Sequence, residues 1–258
     1  MSFKVAASDF DGTLYRDGKI SAQDVAAIRE WQAAGNKFGV VTGRCRLMIA
    51  PLFKELGIKL DFLICDNGAI IYDGDGQILF ETELPKKVLF DIMDEPCTKD
   101  TFHFAFQTAH EIFCTYIREG SWLLGDKVVW NFELKQIDAA QLQTLQKINQ
   151  FVLGFETPED AQVVTDALNK KFGDQILAQR NLNCIDIVKT GVDKAHGIEN
   201  LLRVMNWQDA KIFVIGDEAN DLPMIKKFGG FTVSTARDYV KREASEIFDS
   251  VGAMLSAK

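Results

Sequence analysis

The chain has 258 residues, of which 47% are apolar and 26% are charged, with 19 Gly and 5 Pro. These proportions are those of an ordinary globular protein, and they exclude a disordered chain, a collagen-like repeat and a coiled coil. Lys and Arg number 29 against 37 Asp and Glu, which gives a net charge of −8 at pH 7. This charge has the wrong sign for general binding to a phosphate backbone, so we expect no nucleic-acid partner.

The cysteines and the amino-terminal residues indicate a cytoplasmic protein. The 5 cysteines form neither a C-x-x-C pair nor a Cys/His cluster, which favours reduced, mostly buried thiols over a disulfide framework or a zinc site. The start of the chain lacks the basic and apolar regions of a signal peptide. No apolar run approaches the roughly 18 residues of a membrane helix. We expect no membrane association, and a monomer or a weak homodimer.

The first third of the chain alternates predicted strands with predicted helices. Apolar runs predict strands at residues 4–8, 37–41 and 62–65, and helical spacing follows Ser21 and covers 47–56. Strands separated by helices form right-handed crossovers and therefore a parallel sheet. This part of the chain predicts an α/β fold with helices flanking the sheet.

After a hairpin turn at Asp73-Gly74-Asp75-Gly76 the rhythm changes and predicts an inserted α+β domain at residues 83–186. Its predicted strands cover 102–106, 112–117 and 128–132, and its predicted helices cover 139–149 and 161–172. The α/β pattern then resumes, with a helix from Asp193 and an apolar strand at 211–215. We therefore expect one domain built from residues 1–82 and 187–258, interrupted by the second.

The most informative segment is Asp9-Phe10-Asp11-Gly12-Thr13, which comes directly after the first predicted strand. Ligands of doubly wound folds bind outside the carboxyl ends of the parallel strands. Two carboxylates two residues apart leave an extended chain on the same side and repel each other. The pattern predicts a divalent metal, a shared proton or both, and the alternative is a simple strand-end turn.

Three further segments favour the chemical interpretation. Thr42-Gly43-Arg44 ends the second strand with a hydroxyl and an amide that suit a phosphate oxygen. Lys194 lies at a predicted helix N-terminus, where the helix dipole disfavours a cation, which suggests an anion opposite it; the alternative is an exposed lysine there by chance. Gly216-Asp217-Glu218-Ala219-Asn220-Asp221 ends the apolar strand with more polar groups than an N-cap requires.

In this order, the four segments resemble the four motifs of the haloacid dehalogenase superfamily. The sequence is most similar to the Cof-type phosphatases, in which a type IIB α+β cap is inserted between the second and third motifs. Asp66-Asn67-Gly68-Ala69 resembles the turn that precedes the cap in that subgroup. The resemblance implies a Rossmann-like core that performs the chemistry and a cap that selects the substrate.

The resemblance also implies a role for each motif residue. Asp9 would be the nucleophile that forms an aspartyl-phosphate, and Asp11 the general acid and then the general base. Mg²⁺ would be held by Asp9, the backbone carbonyl of Asp11, and Asp217, with Asp221 orienting Lys194 or a metal-bound water. The remaining phosphoryl oxygens would be held by four groups: Thr42, the Gly43 amide, Lys194 and Asn220.

The expected function is hydrolysis of small phosphorylated metabolites, with sugar phosphates first and flavin or pyridoxal phosphates next. A carboxyl at Asp11 favours a phosphatase or a sugar phosphomutase over the dehalogenases and ion-pumping ATPases of the superfamily. Two non-enzymatic alternatives stay open: a phospho-acceptor resembling a response-regulator receiver, and a silent sugar-phosphate binder. His103 and His110 have no partners at metal spacing, and we expect them at the surface or half-buried.

Overall fold

The computed structural model describes residues 3–258, which divide into two compact units. The first unit contains the described residues up to Thr42, Ala50–Phe80 and Asp193–Lys258, and the second contains Gly43–Ile49 and Glu81–Val192. The first two residues of the expected segment 1–82 lie outside the described residues. The domain boundaries expected after residues 82 and 186 stay a prediction.

Both units combine strands with helices. The strands are β1 (Lys4–Ser8), β2 (Lys37–Val41), β3 (Phe62–Cys65), β4 (Ile70–Asp73), β5 (Ile78–Glu81), β6 (His103–Gln107), β7 (Ile112–Ile117), β8 (Leu134–Gln136), β9 (Gln150–Gly154), β10 (Ile176–Asn181), β11 (Cys184–Lys189), β12 (Lys211–Gly216), β13 (Phe231–Val233) and β14 (Ile247–Phe248). The helices are α1 (Ala22–Ala33), α2 (Arg46–Glu55), α3 (Lys86–Met93), α4 (Trp122–Val129), α5 (Ala139–Thr144), α6 (Pro158–Phe172), α7 (Lys194–Val204), α8 (Leu222–Phe228), α9 (Asp238–Lys241) and α10 (Val251–Ala257).

The sheet of the first unit has the order β14-β13-β12-β1-β2-β3-β4-β5. Pairing is parallel from β14 to β3 and becomes antiparallel between β3 and β4. The last residue of β1, Ser8, is in register with Ile215 of β12 and Val40 of β2. This register brings the chain segments after β1, β2 and β12 to one edge of the sheet. The predicted α/β class with a parallel sheet is confirmed.

The second unit contains a six-stranded sheet with the order β10-β11-β9-β6-β7-β8. Alternate apolar side chains of its strands form one buried cluster with residues of α3 and α6, because one face of such a sheet must be covered. Members of this cluster include Val88, Phe106, Phe151, Leu153, Leu168, Ile185 and Ile187. Neighbouring strands of this sheet pair in antiparallel fashion, except that β7 and β8 are parallel. The expected α+β character of this part is therefore present.

One predicted element of the second unit is wrong, and another is shorter than predicted. The sequence predicts a strand at 128–132, but α4 runs to Val129, which is 70% exposed. The adjacent Val128 and Val129 favour a strand locally, whereas buried Leu123 anchors the segment as a helix. The predicted helix 139–149 ends at Thr144, because the backbone turns extended at Leu145 (ψ 143°) and left-handed at Lys147 (φ 54°).

The cysteines are free thiols, and three of them are buried: Cys45, Cys65 and Cys114. Burial raises the pKa of Cys114 and, with the neighbouring Asp186, that of Cys184. Both thiols are therefore held in the protonated, weakly nucleophilic form. Within residues 3–258, no helix combines the length and the apolar character that a bilayer span requires.

His103 was expected at the surface or half-buried, but its side chain is completely buried in the second unit. Its Nδ1 lies 2.8 Å from Oγ of Ser121, and its ring packs edge-on against Trp122 with centroids 5.1 Å apart. Burial lowers the pKa of His103 to about 4, because the charged imidazolium is poorly solvated there. His110 is exposed, as expected.

This burial predicts acid sensitivity of the second unit. The pKa of His103 falls from 6.5 to about 4 on folding. The contribution of the neutral imidazole to the free energy of unfolding is therefore present above pH 6.5 and is lost as the pH falls through 4. About 2–3 kcal/mol of unfolding free energy should disappear between about pH 7.5 and about pH 4.5. Urea unfolding of His103→Gln should show a pH dependence smaller by that amount. His110→Gln is the control and should behave like the wild type; an unchanged pH dependence in His103→Gln contradicts the assignment.

Candidate active site

Carboxylates and a lysine from distant parts of the sequence meet at the carboxyl edge of the first unit's sheet. Asp9 directly follows β1, and Asp217 directly follows β12. Nζ of Lys194 lies 2.6 Å from Oδ1 of Asp9 and also donates to Oδ1 of Asp221. Lys194 and Asp221 are 1% and 0% exposed, and Asp9 is 5% exposed. Four of the residues singled out from the sequence are thus brought together.

Lys194 is the first residue of α7, and the anion expected opposite it is present as two carboxylates. Burial alone would lower the pKa of this ammonium group. The charges of Asp221 and Asp9 outweigh burial and hold the pKa above its ordinary value. Lys194 is therefore a fixed positive charge throughout the neutral range.

The two carboxyls at the strand ends have raised pKa values. Burial, followed by the charge of Asp221, raises the pKa of Asp9 well above its usual value, and Lys194 offsets part of that rise. Burial also raises the pKa of Asp217 to about 6, while a hydrogen bond from Thr13 acts in the opposite direction. Acidic groups so close together bind either protons or a further cation.

The donor set fits a divalent metal ion. Carboxylate oxygens of Asp9, Asp217 and Asp221 lie within 4.8 Å of one another, and hard oxygen ligands suit Mg²⁺ or Ca²⁺. Asp221, however, has both oxygens engaged: Oδ1 accepts from Lys194, and Oδ2 accepts from the backbone N–H groups of Asp217 and Glu218 at 2.9 and 3.1 Å. Asp9 and Asp217 are therefore the side chains suited to hold the ion, with Asp221 supporting them.

Gly12 and Thr13 shape this cluster, although neither is among the site residues predicted from the sequence. Gly12 has φ 79°, and a Cβ there would lie 2.3 Å from Oδ2 of Asp217. Only glycine combines the left-handed backbone with this close approach. The buried Thr13 donates from Oγ1 to Oδ1 of Asp217 at 2.5 Å. Their positions directly after Asp11 could have indicated that they belong to the site, but the sequence does not show the contact with Asp217.

The remaining candidates make contacts outside this cluster. Asn220 donates from Nδ2 to Oδ1 of Asn67 at 3.1 Å. Thr42 is 1% exposed, and its carbonyl accepts from the N–H of Asn67 at 2.9 Å. Asp11 is partly exposed and forms a backbone bridge with Tyr15.

Gly43, the residue after Thr42, belongs to the second unit. There its carbonyl accepts a hydrogen bond from Nε2 of Gln150 at 2.9 Å. The carbonyl is thus used inside the second unit, while the expected role of Gly43 rests on its amide. That role stays a prediction.

The chain is similar to known proteins over nearly its whole length. The family model of the haloacid dehalogenase-like hydrolases matches residues 6–253. A 5-amino-6-(5-phospho-D-ribitylamino)uracil phosphatase of Bacillus subtilis is 25% identical over 97% of this chain and 91% of its own length. A pyridoxal phosphate phosphatase of Escherichia coli is 24% identical over 95% of this chain and 93% of its own. A solved haloacid dehalogenase subclass IIB sugar phosphatase superposes with a TM-score of 0.82 at 19% identity, covering 98% of both chains.

Proposed function

Because the chain belongs to the haloacid dehalogenase-like hydrolase family, we propose that it is a Mg²⁺-dependent phosphatase of small phosphorylated metabolites. The observation that carries the proposal is the buried contact of Lys194 with Asp9 and Asp221, beside Asp217. The similar proteins are named for phosphorylated metabolites of different kinds: a ribitylamino-uracil phosphate, pyridoxal phosphate and sugar phosphates. All of these substrates are phosphate esters of small organic molecules. Among them, we propose sugar phosphates as the favoured substrate class.

Asp9 is the proposed nucleophile. A carboxylate oxygen of Asp9 forms a bond to phosphorus while the bond from phosphorus to the leaving alcohol oxygen breaks, which gives an aspartyl-phosphate. Asp11 donates the proton that the leaving oxygen requires. Asp11 then takes a proton from water, the water oxygen attacks the same phosphorus, and Asp9 leaves with its electron pair. The net reaction is hydrolysis, with Asp9 and Asp11 restored.

Lys194 assists both displacements through its fixed charge. It holds Oδ1 of Asp9 at 2.6 Å, which restricts the rotation of the carboxylate, and it lowers the pKa of that carboxyl against the effect of burial. The other oxygens of the phosphoryl group would be held by Thr42, the Gly43 amide, Lys194 and Asn220. Donors fixed before the reaction stabilise the developing charge without reorganisation.

The metal ion would be held by Asp9, the backbone carbonyl of Asp11, and Asp217, with Asp221 as support. When bound, it supplies positive charge that offsets the repulsion between the Asp9 carboxylate and the phosphoryl oxygens. The close carboxylates favour such a cation, since burial and mutual repulsion raise the pKa values of Asp9 and Asp217, and a nearby positive charge stabilises their ionised forms.

Phosphate release from para-nitrophenyl phosphate and from a panel of phosphorylated sugars, flavins and pyridoxal tests the proposal. We expect many turnovers per chain with added Mg²⁺ and a loss of activity with EDTA that Mg²⁺ restores. Release of a single equivalent would instead indicate a phospho-acceptor. Hydrolysis in ¹⁸O-water should label the released phosphate, whereas transfer to another sugar hydroxyl without label would indicate a phosphomutase.

Thr13 provides a test of the metal site. Thr13→Val keeps the shape of the side chain but removes the donor to Asp217, so the pKa of Asp217 should rise further and protons should compete better with the cation. We expect the affinity for Mg²⁺ to fall about 10- to 100-fold, measured as the Mg²⁺ concentration that half-activates the enzyme and that half-shifts its melting temperature. The matched control is Thr165→Val, a buried threonine of the second unit that bonds the Ala161 carbonyl. Equal Mg²⁺ affinity in Thr13→Val and wild type contradicts this role.

A further inference from the structure

The turn at Asp66, Asn67 and Gly68 has an unusual backbone. The three consecutive residues have φ values of 52°, 53° and 102°, and Asp66 and Asn67 are 1% and 0% exposed. Left-handed conformations are unfavourable for residues other than glycine, and Asn tolerates them better than most. A buried run of this kind persists only when its surroundings hold it in place.

The backbone of the turn contacts two of the segments that carry the candidate phosphate-binding groups. The N–H of Asn67 donates to the Thr42 carbonyl at 2.9 Å. A Cβ on Gly68 would lie 2.3 Å from the carbonyl oxygen of Asp193, the residue that caps the helix beginning at Lys194. A Cβ on Gly197, one turn into that helix, would lie 2.8 Å from the α-carbon of Gly68. The turn and the helix can therefore approach this closely because each has a glycine at the point of contact.

The side chain of Asn67 contacts a third segment. Its Oδ1 accepts from Nδ2 of Asn220 at 3.1 Å, in a contact that is buried and joins residues 153 positions apart. The left-handed backbone alone would explain an asparagine here, but it does not require the side chain to be buried against another carboxamide. One N–H of the Asn220 carboxamide donates to Asn67, and this hydrogen bond fixes the rotation of the carboxamide. The second N–H of the same nitrogen then remains available for a ligand.

We propose that Asn67 is a positioning residue: its carboxamide oxygen orients the Asn220 carboxamide toward the phosphoryl group, and its backbone N–H fixes the strand end at Thr42. The inference rests on the proposed function, because it takes Asn220 as a phosphoryl-binding group. A donor held in one orientation binds a phosphoryl oxygen without losing rotational freedom at that moment. The role of Asn67 is thus exerted through Asn220.

A double-mutant cycle measures this coupling. Asn67→Gly removes the carboxamide while glycine adopts φ 53° freely, so the fold should be retained. We expect kcat/KM for para-nitrophenyl phosphate to fall about tenfold in Asn67→Gly and about 100-fold in Asn220→Ala. In the Asn220→Ala background, Asn67→Gly should change kcat/KM by less than about twofold. If the double variant instead lost kcat/KM by the product of the two single-variant factors, the two residues would act independently and the proposal would be overturned.

The control is Asn206→Gly, which relaxes another left-handed asparagine (φ 55°) of the first unit at an exposed position. It should leave kcat/KM and the inhibition constant of inorganic phosphate unchanged. In Asn67→Gly the inhibition constant of inorganic phosphate should rise, whereas a purely structural role would change the melting temperature and leave this constant as it is.

A second measurement does not depend on turnover. The ¹⁵N–¹H resonances of the Asn220 side-chain amide can be identified by their loss in Asn220→Ala. In Asn67→Gly these resonances should shift and their protons should exchange faster with water, while in Asn206→Gly they should not change. If the wild type hydrolyses no phosphate ester, the proposed function fails and these resonances still test the contact. If they are unaffected by Asn67→Gly, the positioning role fails whatever the activity.

Discussion

Replacing Asp9 by Asn is expected to lower kcat by at least about 10⁴-fold, because an amide oxygen cannot act as the nucleophile that forms the phosphoryl-enzyme. Asn has the same shape and can still accept from Lys194, which contacts Oδ1 of Asp9 at 2.6 Å. The loss should therefore appear in kcat with the fold retained. Circular dichroism should be that of the wild type.

The experiment compares Asp9→Asn with Asp209→Asn, an exposed aspartate of the same unit. Phosphate release by Asp209→Asn should equal that of the wild type. A second readout uses rapid acid quench after mixing with ³²P-labelled substrate: the wild type should retain label on the protein, and Asp9→Asn should not. Wild-type turnover in Asp9→Asn would remove the aspartyl-phosphate from the mechanism.

Local patterns predicted the part of the site that depends on strand ends. β1 and β2 have the predicted bounds, and the parallel register places the residues after Ser8, Val41 and Gly216 at one edge of the sheet. Parallel pairing is expected from the βαβ rhythm, so the meeting of Asp9 and Asp217 could be predicted before any coordinates. The position of Lys194 at a helix N-terminus only suggested an anion nearby, and its place beside Asp9 followed from the family resemblance.

Contacts that depend on side-chain directions could not be predicted in the same way. Thr13 bonds Asp217 across 204 positions, and Asn220 bonds Asn67 across 153. No periodicity connects such distant residues, and each of these side chains has several rotamers with other partners. The missed elements of the second unit have a different cause: at Val128 and Val129 the local strand preference loses to the packing of one helix face around Leu123.

Lys194→Met is expected to lower the free energy of unfolding by about 3–5 kcal/mol at about pH 8, because it leaves buried carboxylates without their cation. In the wild type the pKa of Lys194 is raised above 10.5 on folding, so its contribution is complete below pH 10.5 and is lost only as the pH rises through the higher folded value. Turnover should fall about 100- to 1,000-fold as well, since the donor to Asp9 is gone.

The destabilisation of Lys194→Met should shrink in acid. The charge of Lys194 lowers the pKa of Asp9, so that pKa rises further in the variant, above its unfolded value of 3.8. A carboxyl whose pKa is raised by folding stabilises the protein at low pH and loses that contribution as the pH rises through the folded value. Urea unfolding should therefore show a smaller difference between variant and wild type at about pH 5 than at about pH 8. Lys54→Met, at an exposed position in α2, should match the wild type at both values, and a Lys194→Met protein as stable as the wild type at about pH 8 would show that the buried carboxylates are already neutral there.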